Sequence, residues 1–224
     1  MADRCLLYYI TGRRQFSGDE HERRRALLAK IAEATRAGVN CIQLREKDLS
    51  TRELEALTRE SVAQIEQLRS KNRKLKTILL VNSRTDVAIA ANADGVHLRS
   101  DDISPDELRS VWVRCSARVS DREPLPFIAV SCHSVTDVLR AKSKGADFVV
   151  FAPVFEKRDA PATQPKGLSA LREACAVKIP VLALGGVTLE NAASCLAEGA
   201  SGIAGIRLFQ ENKIEDVVRA LRGL

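Results

Sequence analysis

Short apolar runs at 6–11, 39–44, 77–81, 95–98, 127–130, 148–151, 181–184 and 202–205 alternate with helix-like stretches at 20–37, 50–70, 84–92, 104–112, 134–144, 167–176, 188–199 and 213–222. This alternation restricts the fold more than any other feature of the chain. Strands separated by helices run parallel, because each helix must cross back over a sheet face. Eight such units of about 28 residues in a chain of 224 point to a single α/β domain over 1–224, a closed TIM (β/α)8 barrel. An open doubly wound sheet is the other arrangement the pattern allows. Ser50, Ser104-Pro105, Ser134 and Thr188 sit where helix-capping oxygens are expected.

A barrel brings the segments that follow its strands to one mouth, so these segments are where chemistry is sought. The second strand runs Cys41-Ile42-Gln43-Leu44-Arg45-Glu46-Lys47. Alternate side chains of a strand share a face, so Gln43, Arg45 and Lys47 should project together from its carboxyl end. Two cations and an amide suit a phosphate or diphosphate, although a solvated basic strand end has the same sequence. Gly185-Gly186-Val187-Thr188 after strand seven and Gly205-Ile206-Arg207 after strand eight are a candidate phosphate cradle. Glycines let backbone N–H groups approach an anion, and a helix beginning at Thr188 would add a favourable dipole. A tight turn accounts for the glycine pair equally well.

Asn82-Ser83-Arg84 follows strand three, and Asp101 and Asp102 are the first clustered carboxylates after strand four. Magnesium commonly takes one or two carboxylates and completes its shell with water and substrate phosphates. Acidity at a helix start also explains the pair, and Asp102 is the stronger candidate. Strand five ends in Ser131-Cys132-His133-Ser134, where His133 is a candidate acid–base group. His97, inside strand four, reads as a core or supporting residue. The loop 156–166 carries Lys157, Arg158 and Lys166 directly after strand six, which makes it a candidate lid. The segment 116–126 reads as a surface loop.

Composition narrows the partners. Hydrophobic residues make up 45% and no apolar run approaches the roughly 20 residues of a membrane helix. The net charge of +6 is spread over segments such as Arg23-Arg24-Arg25 and Lys71-Asn72-Arg73-Lys74, and aromatics are only 4%, which argues against nucleic acid. Six scattered cysteines without a CxxC pair read as buried thiols of a cytoplasmic protein, and the first residues lack the layout of an export signal.

Taken together, Tyr9-Ile10-Thr11, Ile42-Gln43-Leu44-Arg45-Glu46-Lys47, Val81-Asn82, Ala93-Asp94-Gly95-Val96-His97-Leu98, Ser131-Cys132-His133-Ser134, Gly145-Ala146-Asp147, Pro153-Val154-Phe155 and Ala183-Leu184-Gly185-Gly186-Val187 resemble the thiamine phosphate synthase family and its close relatives, the thiazole tautomerases. For a synthase, the resemblance implies a TIM barrel that joins hydroxymethylpyrimidine diphosphate to hydroxyethylthiazole phosphate with Mg2+ and releases diphosphate. Carried over by position, Gln43, Arg45, Lys47 and Asn82 hold the diphosphate and Asp102 binds magnesium. Ser131 lies near the reacting pyrimidine, while Gly185, Gly186, Gly205, Ile206 and Arg207 hold the thiazole phosphate. It is also compatible with a small homo-oligomer.

The chain departs from the family pattern at four places. Ser83 stands where synthases carry an aspartate. Arg99-Ser100 replaces a Gly-Gln. Glu156-Lys157-Arg158 replaces a Thr-x-Thr-Lys signature, so that Lys157 or Arg158 would supply the lost charge. Arg207 replaces a small hydroxyl residue. Three readings follow: a synthase with a rearranged diphosphate loop, a tautomerase-type isomerase using His133, and a non-catalytic binder of phosphorylated ligands.

Overall fold

The computed structural model describes residues 5–116, 125–156 and 163–224. Eight parallel strands close on themselves in sequence order: β1 (Leu6–Ile10), β2 (Cys41–Leu44), β3 (Ile78–Asn82), β4 (Gly95–Leu98), β5 (Phe127–Cys132), β6 (Phe148–Phe151), β7 (Val181–Ala183) and β8 (Gly202–Gly205), with β8 pairing β1. The expected TIM barrel is the observed fold. Helices α1 (Glu20–Ala37), α2 (Thr51–Lys71), α3 (Thr85–Ala90), α4 (Pro105–Ser116), α5 (Val135–Ser143), α6 (Gly167–Cys175), α7 (Ala192–Ala197), α8 (Arg207–Gln210) and α9 (Ile214–Arg222) surround it. Among the described residues, no helix is long and apolar enough to cross a membrane.

Two cores result. Strand residues that face outward pack against the helices: Leu7, Tyr9, Ile42, Leu44, Leu79, Val81, Val96 and Ile128 are all completely buried there. The alternate residues Tyr8, Ile10, Cys41, Leu80, Ala129, Phe148, Val150, Leu182 and Ala204 fill the barrel interior. One step further up the same inward-facing rows, β2 to β5 switch to polar side chains: Gln43, Asn82, His97 and Ser131. Leu184 and Ile206 keep the opposite wall apolar. The floor of the mouth is therefore polar on one side and apolar on the other.

The capping chemistry is mostly as expected. Ser50 forms a full capping box with Glu53, and Ser134 accepts from the Asp137 N–H. At Ser104, the Glu107 carboxylate accepts the backbone N–H instead. Asp19 with Glu22 makes a second capping box that sequence reading did not single out. Thr188 does not start a helix. Regular helix begins at Ala192, and Thr188 contributes its carbonyl to the Ala192 N–H and its own N–H to Asn191. The dipole expected at Thr188 is thus absent. Among the cysteines, Cys41, Cys132 and Cys195 are buried, but Cys115 is exposed and Cys5 and Cys175 are half-buried, so burial does not describe all six.

Candidate active site

Strand β2 ends at Leu44, and Arg45 to Asp48 leave the ladder as a turn. Strand alternation therefore does not align residues 43, 45 and 47, contrary to the expectation from spacing. A different device brings them to the mouth. Glu46 turns inward and is held by the Thr11 hydroxyl at 2.6 Å and the Arg13 backbone N–H at 3.1 Å, while the Arg45 N–H donates to Thr11 Oγ1 at 2.9 Å. Buried Arg13 completes the knot with Nη1 at 3.2 Å from Glu46 and both guanidinium arms on Asp48 at 2.7 and 2.9 Å. Burial pushes the Glu46 carboxyl up, and the Thr11 and Arg13 contacts oppose that rise without cancelling it. With Glu46 anchored below, its neighbours Arg45 and Lys47 lie at the opening. Sequence reading missed Arg13 and Glu46; the Thr11-Gly12-Arg13 corner after β1 was the available signal.

Three positive charges now crowd one region. The Lys47 ammonium is held below its usual value, first by the Arg45 charge, then by partial burial and by Arg99. Among the described residues, no carboxylate forms an ion pair with Arg45 or Lys47. Arg99 is paired with Asp101 and Asp102, so among the described residues Arg45 and Lys47 are the like charges left without a counter-ion, and their mutual repulsion favours an anionic ligand. Beneath them, Gln43 Nε2 donates to Asn82 Oδ1 at 2.9 Å, joining two of the expected binding residues.

Asn82 leads on to Ser83 and Asp102. Asn82 Nδ2 lies 3.3 Å from Ser83 Oγ, and that hydroxyl donates to Asp102 Oδ2 at 2.7 Å. Ser83 has a left-handed backbone with φ 59°, a strained state for a non-glycine residue, held by its N–H on the His97 carbonyl at 2.9 Å. Asp102 also accepts the Arg99 N–H at 2.8 Å and the Arg99 guanidinium at 3.2 Å. Burial works to raise the Asp102 carboxyl, but these donors together hold it below its usual value. Asp101 points away: its side chain is 71% exposed and, among the described residues, its one ion pair is with Arg99, at 3.4 Å. Ser131 joins Asp102 and Arg99 in lining a cavity of about 210 Å³.

His133 is exposed, with Nδ1 at 2.7 Å from the Ala152 carbonyl, which requires Nδ1 to carry the hydrogen and leaves Nε2 free to exchange a proton when the ring is neutral. On the far wall, Gly185 and Gly186 both have positive φ, and a Cβ on Gly186 would stand 2.3 Å from the Glu156 carbonyl oxygen. Among the described residues, neither the Gly186 nor the Val187 N–H has a protein acceptor. Gly205 lies under α8, where a Cβ would come within 3.0 Å of Leu208, and Ile206 and Arg207 open that helix. Lys157 and Arg158 fall outside the described residues, as does most of the loop expected to act as a lid.

A parallel eight-stranded barrel whose carboxyl end brings together Arg45, Lys47, Arg99 and Asp102, with the Gly185-Gly186 turn after β7, has the architecture of a TIM-barrel enzyme. Residues 7–209 match the thiamine monophosphate synthase (TMP-TENI) family. The chain is 33% identical over 223 residues to a thiamine-phosphate synthase of Pyrococcus horikoshii, covering 99% of this chain and 94% of that one. It is 38% identical over 203 residues to a thiamine-phosphate synthase of Roseiflexus castenholzii, covering 90% and 79%. A solved thiamine phosphate pyrophosphorylase of Pyrococcus furiosus superposes with a TM-score of 0.75 at 30% identity, over 99% of this chain and 95% of that one. The chain belongs to the thiamine monophosphate synthase family.

Proposed function

We propose that this protein is a thiamine-phosphate synthase, a transferase that joins hydroxymethylpyrimidine diphosphate to hydroxyethylthiazole phosphate and releases diphosphate. The observation that carries this reading is the pair of like charges on Arg45 and Lys47, which meet no carboxylate among the described residues, beside the Gln43–Asn82 pair. A leaving diphosphate gathers negative charge as its C–O bond breaks, and cations fixed in advance stabilise that charge without having to reorganise. Arg45 and Lys47 would bind the departing group, with Gln43 and Asn82 orienting it and Ser131 beside the pyrimidine. Lys157 and Arg158 are proposed as further diphosphate ligands. The thiazole nitrogen would then attack the pyrimidine methylene cation, its phosphate held by Gly185, Gly186 and the Gly205-Ile206-Arg207 corner.

The donors around Asp102 fit magnesium. No group of three His, Cys, Asp or Glu side chains gathers among the described residues, so these offer no closed cage. One carboxylate flanked by the Ser83 hydroxyl suits an ion that takes its remaining ligands from water and substrate phosphate. When bound, magnesium would neutralise diphosphate charge. Asp102 would be its protein ligand, and Asp101 takes no part. Incubating the protein with both phosphorylated substrates and magnesium is expected to yield thiamine phosphate and diphosphate in equal amounts. No product at high enzyme concentration rejects the reading.

The tautomer of His133 supports a second reading, a thiazole tautomerase-type isomerase in which Nε2 moves the proton. That activity would persist in Arg45→Met and collapse in His133→Ala, whereas the synthase reaction has the opposite sensitivity.

A further inference from the structure

Inside the barrel, side chains from three strands form a single run of hydrogen bonds that ends at the mouth. Tyr8 on β1 is completely buried, and its Oη lies 2.9 Å from Nδ1 of His97 on β4. The other ring nitrogen, Nε2, lies 2.8 Å from Oγ of Ser131 on β5. Of the three, Tyr8 and His97 are buried and Ser131, at the carboxyl end of β5, is half-buried. Distances alone leave the direction of these bonds open, because each group can donate or accept.

Two physical facts determine the direction. Burial first, and the Arg45 charge second, push the His97 imidazole down to about 3, with Asp102 offsetting only part of the fall. His97 is therefore neutral near pH 7, and one ring nitrogen alone carries a hydrogen. Tyr8 keeps its phenolic proton because burial raises that group well above its ordinary value. This hydrogen needs an acceptor. Tyr8 shares the inner core with Ile10, Leu80, Phe148 and Val150, and His97 Nδ1 is its single hydrogen-bond partner among the described residues. Leaving a buried hydroxyl hydrogen unbonded is costly, whereas donating it to Nδ1 satisfies both atoms. Nδ1 is then the bare nitrogen, Nε2 carries the hydrogen, and Nε2–H donates to Ser131 Oγ. The hydroxyl hydrogen of Ser131 has no place on His97 and turns to the mouth.

We infer that Tyr8 and His97 are positioning residues that hold Ser131 as a hydrogen-bond donor to the ligand, so that this point of the mouth selects an acceptor atom, such as a pyrimidine ring nitrogen, over an N–H group. The choice of a pyrimidine rests on the synthase reading; the direction of the hydrogen bonds does not.

Long-range proton–nitrogen NMR of the imidazoles tests the direction without any substrate. The chain has 3 histidines, and the His97 signals are those lost in His97→Asn. Expected are a protonated Nε2 and a bare Nδ1; the reverse overturns the inference. In Tyr8→Phe the Nδ1–H form should gain population, and a spectrum unchanged from the parent protein removes Tyr8 from the relay. Binding then tests the consequence, with hydroxymethylpyrimidine phosphate compared with an analogue carrying CH in place of one ring nitrogen. The parent protein should favour the pyrimidine by roughly tenfold for the nitrogen that meets Ser131, and Ser131→Ala should bring that ratio close to one. An equal preference in both proteins overturns the donor role. If the parent protein binds neither ring, the synthase reading fails, while the imidazole spectrum still decides the tautomer.

Discussion

The two ends of this barrel are built on opposite plans. At the amino end one device recurs in the residue ahead of each even-numbered strand. Asn40 donates its N–H to the Leu7 carbonyl at 3.1 Å and accepts the Leu7 N–H on its side chain at 3.0 Å. Asp94 does the same with Leu79 at 3.0 and 2.7 Å, and Asp147 with Ile128 at 2.9 and 2.7 Å. Ser201 takes the fourth place and donates to the Val181 carbonyl at 2.8 Å, but among the described residues no side-chain bond returns to the Val181 N–H. In β1, β3 and β5 the device satisfies the second N–H of the strand, at the starting edge of the parallel sheet. Arg69 on α2 and Arg109 on α4 repeat each other as well: each pairs with its aspartate, at 3.0 and 2.9 Å, and bonds the carbonyl just ahead of the next odd strand, that of Thr77 and that of Pro126.

At the carboxyl end nothing repeats. Each strand delivers a different side chain, cations are placed against cations, Ser83 holds a strained backbone, and a neutral histidine is buried. Satisfied, recurring polar groups mark the end that stabilises the barrel. Unrepeated ones, with Arg45 and Lys47 meeting no carboxylate among the described residues, mark the end where we place binding. The contrast predicts that substitutions at the two ends separate stability from activity.

The largest effect is expected from acid, acting through the mouth. The unfolded chain takes a proton on His97 near 6.5, while the folded chain resists it until about 3. The unfolded state therefore binds more protons between these values. The stability from neutral His97 is complete above 6.5 and drains as pH falls toward 3, a loss on the order of 3 kcal/mol by pH 4. Urea midpoints at pH 7 and pH 4 should show the drop, and His97→Gln should shrink it. An undiminished drop in that variant would place the acid sensitivity elsewhere.

Next, Arg45→Met should lower kcat/KM by about 10- to 100-fold, in line with about 1.5–3 kcal/mol for charge-assisted hydrogen bonds. Removing a charge that repels Lys47 should leave thermal stability unchanged or slightly higher, and a marked loss of stability would blur the contrast between the ends. Asp147→Ala is the converse: about 1–2 kcal/mol of stability lost through the unpaired Ile128 N–H and Arg109, with kcat/KM unchanged. A fall in activity at equal folded fraction would show that the amino end reaches the site. The smallest effect is a gain, in which Ser201→Asn supplies the missing acceptor for Val181 and stabilises the chain by about 0.5–1 kcal/mol, read from the urea midpoint.

Legibility in the sequence followed the range of the interactions. Helix starts at Ser50 and Ser134 depend on residues three apart, and both were legible in the chain. The strands β4, β6 and β8 matched their apolar runs to the residue. The end of β2 was not legible, because a buried carboxylate decides it: Glu46 is drawn out of the ladder by Thr11 and Arg13, about 35 residues earlier in the chain. Asp101 and Asp102 are adjacent and alike in sequence, and only the direction of the chain after β4 sends one to Ser83 and the other to solvent. Thr188 likewise reads as a helix start in the sequence, but regular helix begins at Ala192.

Period and composition by themselves determined a parallel barrel and the end at which its chemistry collects, because alternation of strands and helices leaves few ways to bury every apolar face. The tertiary structure alone decided which polar groups confront one another. Partners such as Tyr8 and His97, or Gln43 and Asn82, lie 89 and 39 residues apart in the chain and touch only when the barrel closes. Charge and hydrogen bonding act over a few ångströms of space, whatever the separation along the chain.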